Sequence, residues 1–159
     1  MGDDADFYFE QFLDRRPHFG SDAIGDEDAD HPPCPYCGAP TFIRSSLAVY
    51  KVNYGNLLMC SGYPLCDAYV GCHEGTETPK GTLAKADLRA WRRDAHCAFD
   101  RRWYGRGRSR RGDAYLWLSH RTGKSLDACH IGEFTIAECQ EVIRLCGQDD
   151  LTRAAKLFR

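Results

Sequence analysis

The sequence has no long hydrophobic segment. Its longest apolar runs, such as AYLWL at 114–118, are far shorter than the ~20 residues that a helix needs to cross a bilayer. The N-terminus is acidic and contains neither a basic stretch nor an apolar one, so we expect no signal peptide. Together these absences predict a cytoplasmic protein with no membrane partner.

The sequence also lacks the even number of cysteines that a fully paired disulfide framework needs, because it contains nine. In a reducing compartment, clustered cysteines are more typical of metal ligands than of disulfides. A length of 159 residues fits one domain, or one small module with a helical extension. We find no internal repeat.

The net charge of −2 conceals an uneven distribution of charge. Residues 1–31 contain ten acidic residues and two arginines, a net charge of −8. Residues 80–124 contain thirteen basic residues and four acidic ones, a net charge of +9. So dense a positive charge requires counterions, an anionic partner or the chain's own acidic end.

The composition divides the chain into three parts. Residues 1–33 are predicted to form an acidic arm and linker, in which DFYFEQFL has the pattern of a short amphipathic helix. Residues 34–72 contain paired cysteines and two or three short antiparallel strands around a turn at Gly55 and Asn56. Residues 73–159 follow as a basic extension of three to four helices packed on those strands. The predicted fold class is therefore α+β.

Helical periodicity begins after residue 81. Thr82 is a candidate N-cap for the first helix, whose apolar residues recur at helical spacing. These apolar residues are Ala84, Leu88, Trp91, Ala95 and Phe99. A basic stripe lies about a quarter-turn away, and a solvated helix face is the alternative to a binding surface there. The stripe consists of Lys85, Arg89, Arg92 and His96.

The later helices are predicted from their ends. A flexible arginine-rich loop follows the first helix, and a second helix over DAYLWLSHRT ends at Gly123. Thr135 and Glu138 have the spacing of a capping box and start a third helix. Gly147 is expected to stop it, and Asp150 to cap a last short helix. Cys139, Val142, Ile143 and Cys146 follow at helical spacing, and packing in the core is expected for Cys97, Cys139 and Cys146.

The paired cysteines predict a metal site. Cys34 and Cys37 are spaced C-x2-C, so both sulfurs of a tight turn point at one cation, and Gly38 relaxes the backbone. Cys60 and Cys66 are spaced C-x5-C, and the intervening strands bring this second pair alongside the first. Four thiolates close a Zn²⁺ site to water, so we predict one structural zinc ion. Iron is an alternative metal, and buried reduced cysteines are the alternative to any metal.

The segment CPYCGAP…GNLLMCSGYPLCDAYVG resembles the four-cysteine zinc ribbons in the C-terminal region of bacterial type I topoisomerases. In those ribbons a CPxCG knuckle precedes a CSxYPxC knuckle. Ser61, Tyr63 and Pro64 of this sequence match the serine, tyrosine and proline of the second knuckle. The resemblance covers about residues 34–71 and includes none of a topoisomerase's catalytic domains. It implies binding of single-stranded DNA by stacking of bases on aromatic side chains. The zinc ligands that it implies are Cys34, Cys37, Cys60 and Cys66.

A longer resemblance covers about residues 32–146. The segment YVGCHEGTETPKGTLAKADLRAWRRDAHCAFDRRW, with AYLWLSHRTG and CHIGEFTIAECQEVI after it, is similar to a family of small bacterial and phage proteins described as zinc-finger-containing. This resemblance implies the extent of the domain and a bacterial cell or a phage-infected host. It implies no particular activity.

Aromatic and basic residues make nucleic acid the predicted partner, as single-stranded DNA or RNA bound with little sequence preference. Base–aromatic stacking contributes ~1–3 kcal/mol per base whatever the sequence. Arginines beside Trp103 and Tyr104 are suited to follow phosphates. Strand packing is the alternative for about half of the tyrosines, and a solvated surface is the alternative for the arginine loop. The residues expected to contact nucleic acid are Tyr36, Arg44, Tyr50, Lys51, Tyr54, Tyr63, Arg89, Arg92, Arg101, Arg102, Arg106, Arg108, Arg110 and Arg111.

Other hypotheses stay open at this point. The ribbon is alternatively a protein-docking module, for example one that a phage-type protein directs at a host transcription or replication machine. If the acidic arm is autoinhibitory, deletion of residues 1–31 tightens binding to single-stranded DNA. No enzymatic activity is predicted, although loosely spaced cysteine and histidine residues leave a second metal site open. The residues of that second cluster are Cys72, His73, His96, Cys97, Cys129 and His130.

Overall fold

The structure is a computed structural model that describes residues 31–104 and 109–157. The predicted helix of the acidic arm and the charges of residues 1–30 lie outside the described residues. The chain divides into two compact units, one that ends at Leu83 and one that begins at Ala84. Three antiparallel strands are followed by three helices, which confirms the predicted α+β class.

The first unit is built on a three-stranded antiparallel sheet. Its strands are Thr41–Ser45 (β1), Asn56–Cys60 (β2) and Tyr69–Gly71 (β3), in the order β1-β2-β3. In the register of β1 and β2, Thr41 pairs with Cys60 and Phe42 pairs with Met59. On the other side of β2, Met59 pairs with Tyr69. The middle strand is therefore hydrogen-bonded on both sides.

The segment TFIRSSLAVY is a strand only in its first half. The Ser45 hydroxyl accepts a hydrogen bond from the Leu47 N–H at 3.3 Å and starts a 3₁₀ turn over Ser46–Ala48. The buried hydroxyl of Ser46 accepts the Tyr54 N–H at 2.6 Å and closes the loop that follows. Serine side chains compete for backbone hydrogen bonds in this way, so β1 ends at Ser45.

The side chains of β2 alternate between two buried clusters on opposite faces of the sheet. Leu58 and Cys60 belong to the first cluster, which we call the zinc face. The other buried members of the zinc face are Cys34, Cys66, Ala68, Cys72 and Leu83. Leu57 and Met59 belong to the second cluster, which we call the tyrosine face. The tyrosine face also contains Tyr69, with Ala48, Val49, Tyr50 and Tyr63 packed against it.

After β3 the chain continues within the first unit. Cys72 pairs with Pro79 in an isolated antiparallel bridge, and its N–H donates to the Asn56 carbonyl at 2.8 Å. Leu83 then packs into the zinc face. Leu83 lies before the first helix, which begins only at Ala86. The prediction that Thr82 caps this helix is therefore wrong.

The described residues of the second unit form three α-helices. They are Ala86–Asp100 (α1), Ser109–Thr122 (α2) and Ile136–Leu157 (α3). Lys85 occupies the N-cap of α1 and makes no side-chain capping bond. α2 begins before its predicted start at Asp113 and so takes in the end of the arginine-rich segment. It ends as predicted at Gly123, whose φ of 69° is the left-handed conformation that favours glycine.

α3 begins with the predicted capping box. The Thr135 N–H donates to Glu138 Oε2 at 2.7 Å, and the Glu138 N–H donates to Thr135 Oγ1 at 3.4 Å. The prediction that Gly147 stops this helix is wrong, because α3 continues to Leu157 and no separate helix begins at Asp150. A glycine inside a helix costs only about 1 kcal/mol relative to alanine, and no proline follows to break this one.

The core of the second unit forms where α1 packs against α3. Its largest fully buried side chains are Phe99, Leu118, Ile131, Phe134 and Val142. Cys139 and Cys146 are buried among them, as predicted. The prediction for Cys97 is wrong, since this side chain is exposed. Cys97 is two residues from buried Ala95, which places it on the opposite side of α1.

Candidate metal centre

Four cysteine sulfurs converge on one point of the zinc face. The Sγ atoms of Cys34, Cys37, Cys60 and Cys66 all lie within 4.8 Å of one another. Cys34 Sγ is 3.7 Å from Cys66 Sγ, and Cys37 Sγ is 3.4 Å from Cys60 Sγ. Sulfurs at the corners of a tetrahedron, each about 2.3 Å from a zinc ion, are about 3.8 Å apart. The cluster therefore fits a single structural zinc ion, with the four sulfurs standing for the thiolates that would ligate it.

The first pair of sulfurs is oriented by the turn that joins them. The Gly38 N–H donates to the Cys34 carbonyl at 2.8 Å, and the Cys34 N–H donates to the Ala39 carbonyl at 2.8 Å. Gly38 has a φ of 73°, which a residue with a side chain rarely adopts. This turn directs Cys34 and Cys37 to the same side, and the relaxing role predicted for Gly38 is confirmed.

The second pair lies at the end of β2 and in the turn that follows. Cys60 is the last residue of the strand, and the Cys66 N–H donates to the Gly62 carbonyl at 3.0 Å. The Gly62 N–H in turn donates to Cys60 Sγ at 3.3 Å, a contact that favours a negatively charged sulfur. The Ser61 N–H donates to the Pro40 carbonyl at 2.9 Å and joins this turn to the first knuckle.

When no metal is bound, hydrogen bonds and burial shift the pKa values of three of these thiols. Hydrogen bonds from the Ala39 backbone and the Cys60 side chain lower the pKa of Cys37 to about 7. Burial raises the pKa of Cys60 to about 12, against the opposing Gly62 N–H. Burial also raises the pKa of Cys66. A divalent cation would displace these protons and offset the cost of burying thiolates together.

Among the residues that the structure describes, these four cysteines are the only group of three or more potential ligands close enough to share a metal ion. The residues considered for a second site do not converge. Cys72 is buried in the zinc face, where its Sγ donates to the Glu77 carbonyl at 3.6 Å. Burial raises the pKa of the Cys72 thiol, so it remains protonated and acts as a small apolar side chain. None of the nine cysteines, all of which are described, forms a disulfide.

Several ribbon residues predicted to contact nucleic acid are linked to one another on the tyrosine face. The hydroxyls of Tyr50 and Tyr69 are 2.8 Å apart. The rings of Tyr50 and Tyr54 meet edge to face with centroids 5.7 Å apart, and those of Tyr63 and Tyr69 with centroids 6.4 Å apart. Tyr50, Tyr54 and Tyr63 are half-buried, so each ring is both packed and partly accessible.

Arg44 and Phe42 extend this surface along β1. The Arg44 guanidinium lies over the Phe42 ring, with its Cζ 5.4 Å from the ring centroid. Phe42 pairs with Met59 and Arg44 pairs with Leu57, the two β2 residues of the tyrosine face. Sequence reasoning missed Phe42, although the alternation of side chains along a strand places it on the same face as Arg44.

Tyr36 and Lys51 complete the ribbon residues of the prediction. Tyr36 lies on the first knuckle, is 40% exposed, and its hydroxyl donates to the Leu83 carbonyl at 3.5 Å. Lys51 is exposed in the loop between β1 and β2.

The basic stripe predicted on α1 is not a uniform surface. Arg92 is only 8% exposed, and its Nε donates to the Phe134 carbonyl at 2.9 Å, so it belongs to the core. The Arg89 guanidinium donates to the Ala84 carbonyl next to the start of the helix. Burial lowers the pKa of His96 to about 4, with repulsion from Arg111 and Arg92 adding to the shift. His96 is therefore uncharged at neutral pH.

The remaining predicted arginines lie around the junction of α1 and α2. Arg101 is exposed, and Arg102 and Arg111 lie over aromatic rings. Arg106 and Arg108 lie outside the described residues, as does the side chain of Arg110.

No helix in the described part of the chain is long and apolar enough to span a membrane.

A three-stranded ribbon with four converging cysteine sulfurs defines a zinc finger of the closed, structural type. The chain belongs to a family described as a zinc-finger-containing domain, whose family model matches residues 31–149. The match extends through both compact units and is consistent with the sequence resemblance over about residues 32–146. Comparisons with curated proteins and with solved structures give no match.

Proposed function

We propose that this zinc-finger protein binds single-stranded nucleic acid through the tyrosine face of its ribbon, with little sequence preference. The observation that carries the proposal is the grouping of Phe42, Arg44, Tyr50, Tyr54 and Tyr63 around one face of a sheet whose opposite face holds the four cysteines. The zinc ion has a structural role in this proposal, because four thiolates leave no open position for catalysis.

Two properties of the tyrosine face support single strands over duplex. Bases that are not paired expose a ring face, and each base stacked on an aromatic side chain contributes ~1–3 kcal/mol. The rings of this face are fixed by contact with one another, as in the hydroxyl contact of 2.8 Å between Tyr50 and Tyr69. Fixed rings lose little conformational freedom on binding. Arg44 adds a cation beside them that is suited to a phosphate.

The proposal is tested with Tyr54→Ala, because the Tyr54 ring is half-buried and meets the ring of Tyr50 edge to face. Loss of one stacked base is expected to weaken binding of a labelled oligothymidylate by about 5- to 150-fold, measured by fluorescence anisotropy. Tyr54→Phe is the matched control, since it keeps the ring and removes only the hydroxyl. Equal affinity of the alanine and phenylalanine variants would contradict stacking at this position.

Loss of a cation is tested separately with Arg44→Gln. This change is expected to reduce the salt dependence of binding by about 0.7 in the slope of log affinity against log salt, the value for one phosphate contact on a single strand. Arg144→Gln is the matched control, since it removes the same charge from an exposed arginine on α3 that pairs with Glu141. An unchanged slope for Arg44→Gln would remove Arg44 from the proposed surface.

A protein-docking role is the second candidate function. Leu65 favours it, because this leucine lies between Pro64 and Cys66 in the second knuckle and is 99% exposed. An apolar side chain so fully exposed is a suitable anchor for a partner protein. A pull-down repeated after nuclease treatment separates the two roles. Partners that persist after nuclease and disappear with Leu65→Asp indicate docking, whereas partners lost to nuclease indicate nucleic acid.

A further inference from the structure

The second unit carries two groups of arginine side chains that lie over tryptophan rings, one at Trp117 and one at Trp103, and together we call them the arginine–tryptophan cluster. It consists of Arg102, Trp103, Arg111, Trp117 and Arg121. The Arg102 guanidinium lies 3.5 Å from the centroid of the Trp117 ring, and the Arg121 guanidinium lies 5.8 Å from the same centroid. The Arg111 guanidinium lies 5.5 Å from the centroid of Trp103. Three cations are therefore held on two indole rings, a cation–π arrangement that also reduces their hydration.

The rings beneath these arginines are fixed by the fold. The Trp103 Nε1–H donates to Asp100 Oδ1 at 3.1 Å at the end of α1. Tyr115, on α2, lies under Arg111 and packs against the buried ring of Phe99, with centroids 4.9 Å apart. Trp103, Tyr115 and Trp117 all pack against the buried core of the second unit, so the rings beneath the arginines are preorganised.

We propose that the arginine–tryptophan cluster is a second binding site for single-stranded nucleic acid, separate from the tyrosine face. This inference rests on the proposed function and extends it to Trp117 and Arg121, which are not among the residues that the sequence predicts to contact nucleic acid. A guanidinium stacked flat on a ring presents its N–H groups at its edge, in the plane where phosphate oxygens accept hydrogen bonds. The cluster therefore contacts the phosphate backbone and reads no sequence.

The neighbouring aromatic side chain favours a nucleic acid over an acidic protein. Tyr104 is 60% exposed and meets the Trp103 ring with centroids 6.4 Å apart. A ring beside a row of cations binds both parts of a nucleotide, since the ring stacks on the base and the cation holds the phosphate. An acidic peptide offers carboxylates for the arginines, but its acidic side chains carry no ring to stack on Tyr104.

Two sites in one chain also have a consequence for affinity. When one site holds a strand, the second encounters the same strand at an effective concentration set by the length of the connection, and this raises affinity without any new contact. Oligonucleotides long enough to reach both sites are therefore expected to bind more tightly than short ones.

The placement of tryptophan allows the second site to be observed separately. All three tryptophans, at 91, 103 and 117, belong to the second unit, and the first unit contains none. Tryptophan fluorescence of the full chain therefore reports on the second unit, while the anisotropy of a labelled oligothymidylate reports binding anywhere. We expect the oligonucleotide to quench tryptophan fluorescence, and Trp117→Phe to reduce the amplitude of that quenching.

Arg121→Gln measures the phosphate contact without disturbing the core, because Arg121 is exposed. It is expected to lower the slope of log affinity against log salt by about 0.7, and Arg102→Gln combined with Arg121→Gln by about 1.4. Between about 50 and about 200 mM salt, the double variant should then lose roughly sevenfold less affinity than the unaltered chain. Arg93→Gln, which removes one charge from an arginine that pairs with Asp94, is the control of equal charge for Arg121→Gln, and the thermal melt of each variant checks that it is folded.

The outcomes separate this inference from the proposed function. Binding in anisotropy without tryptophan quenching, together with an unchanged salt slope in both arginine variants, overturns the second site and leaves the tyrosine face intact. Absence of any binding in anisotropy overturns both. Polyglutamate that quenches the tryptophans and competes as well as the oligonucleotide overturns the assignment to nucleic acid. Quenching that is lost in the arginine variants and resists polyglutamate supports the second site.

Discussion

Removal of zinc is expected to unfold the first unit. Of the ten buried residues in its two clusters, four are cysteines, and three of those are zinc ligands. A unit of about 50 residues has a stability of about 3–8 kcal/mol. Structural zinc contributes an apparent ~10–16 kcal/mol at neutral pH in comparable small modules. The loss therefore exceeds the whole stability of the unit, and neither Cys60→Ser nor strong chelation should leave it folded.

The assay combines circular dichroism with tryptophan fluorescence. After chelation the β-sheet signal of the first unit should be lost, while the tryptophan fluorescence of the second unit persists, because that unit has its own core. Cys97→Ser is the matched control, since Cys97 is exposed and is not one of the four converging cysteines. A protein shown by elemental analysis to be free of zinc, yet with an unchanged circular dichroism melt, would refute the reasoning.

Three further predictions concern the site and the second unit. Elemental analysis should find one zinc per chain, and Cys72→Ala should leave that ratio unchanged; a ratio of two would show that another site exists. Arg92→Gln should lower the free energy of unfolding by about 1.5–3 kcal/mol in a denaturant titration, because it removes a charged hydrogen bond in the core. Arg93→Gln, at a partly exposed arginine that pairs with Asp94, should change it by less than about 1 kcal/mol, and equal effects of the two would contradict the role of Arg92. Burial lowers the pKa of His96 in the folded protein from 6.5 to about 4. Between these pH values the unfolded chain binds a proton that the folded chain does not. The contribution of His96 to stability is therefore present above about pH 6.5 and is lost as the pH falls toward 4. Tryptophan-detected melts should show this loss, and His96→Gln should reduce it; the same pH dependence in that variant would exclude His96 as its source.

The zinc ligands were predictable because they follow a local rule. A C-x2-C turn and a C-x5-C turn each bring two sulfurs together within a few residues, and the antiparallel pairing of β1 with β2 joins the two turns. The capping box of Thr135 and Glu138 was predictable for the same reason, since its hydrogen bonds join residues three apart. Patterns of this kind do not depend on the rest of the fold.

Features that depend on distant contacts were not predictable. The helical period of α1 placed Arg92 on a basic stripe, but a carbonyl 42 residues away, that of Phe134, accepts its hydrogen bond and draws it into the core. Leu83 likewise packs with residues of the zinc face, which moves the start of α1 beyond Thr82. The stacking of Arg102 on Trp117 joins the end of one helix to the middle of the next, and no spacing rule connects them.

Binding of the unaltered chain and of Cys60→Ser to labelled single-stranded DNA, duplex DNA and RNA of equal length tests the central claim most directly. The titrations are run at two salt concentrations, and the unaltered chain should bind single strands more tightly than duplex. Cys60→Ser should lose most of this binding, because the tyrosine face needs the zinc-stabilised sheet beneath it. Equal affinity of the two proteins for single strands, or no binding by the unaltered chain at either salt concentration, would contradict the account.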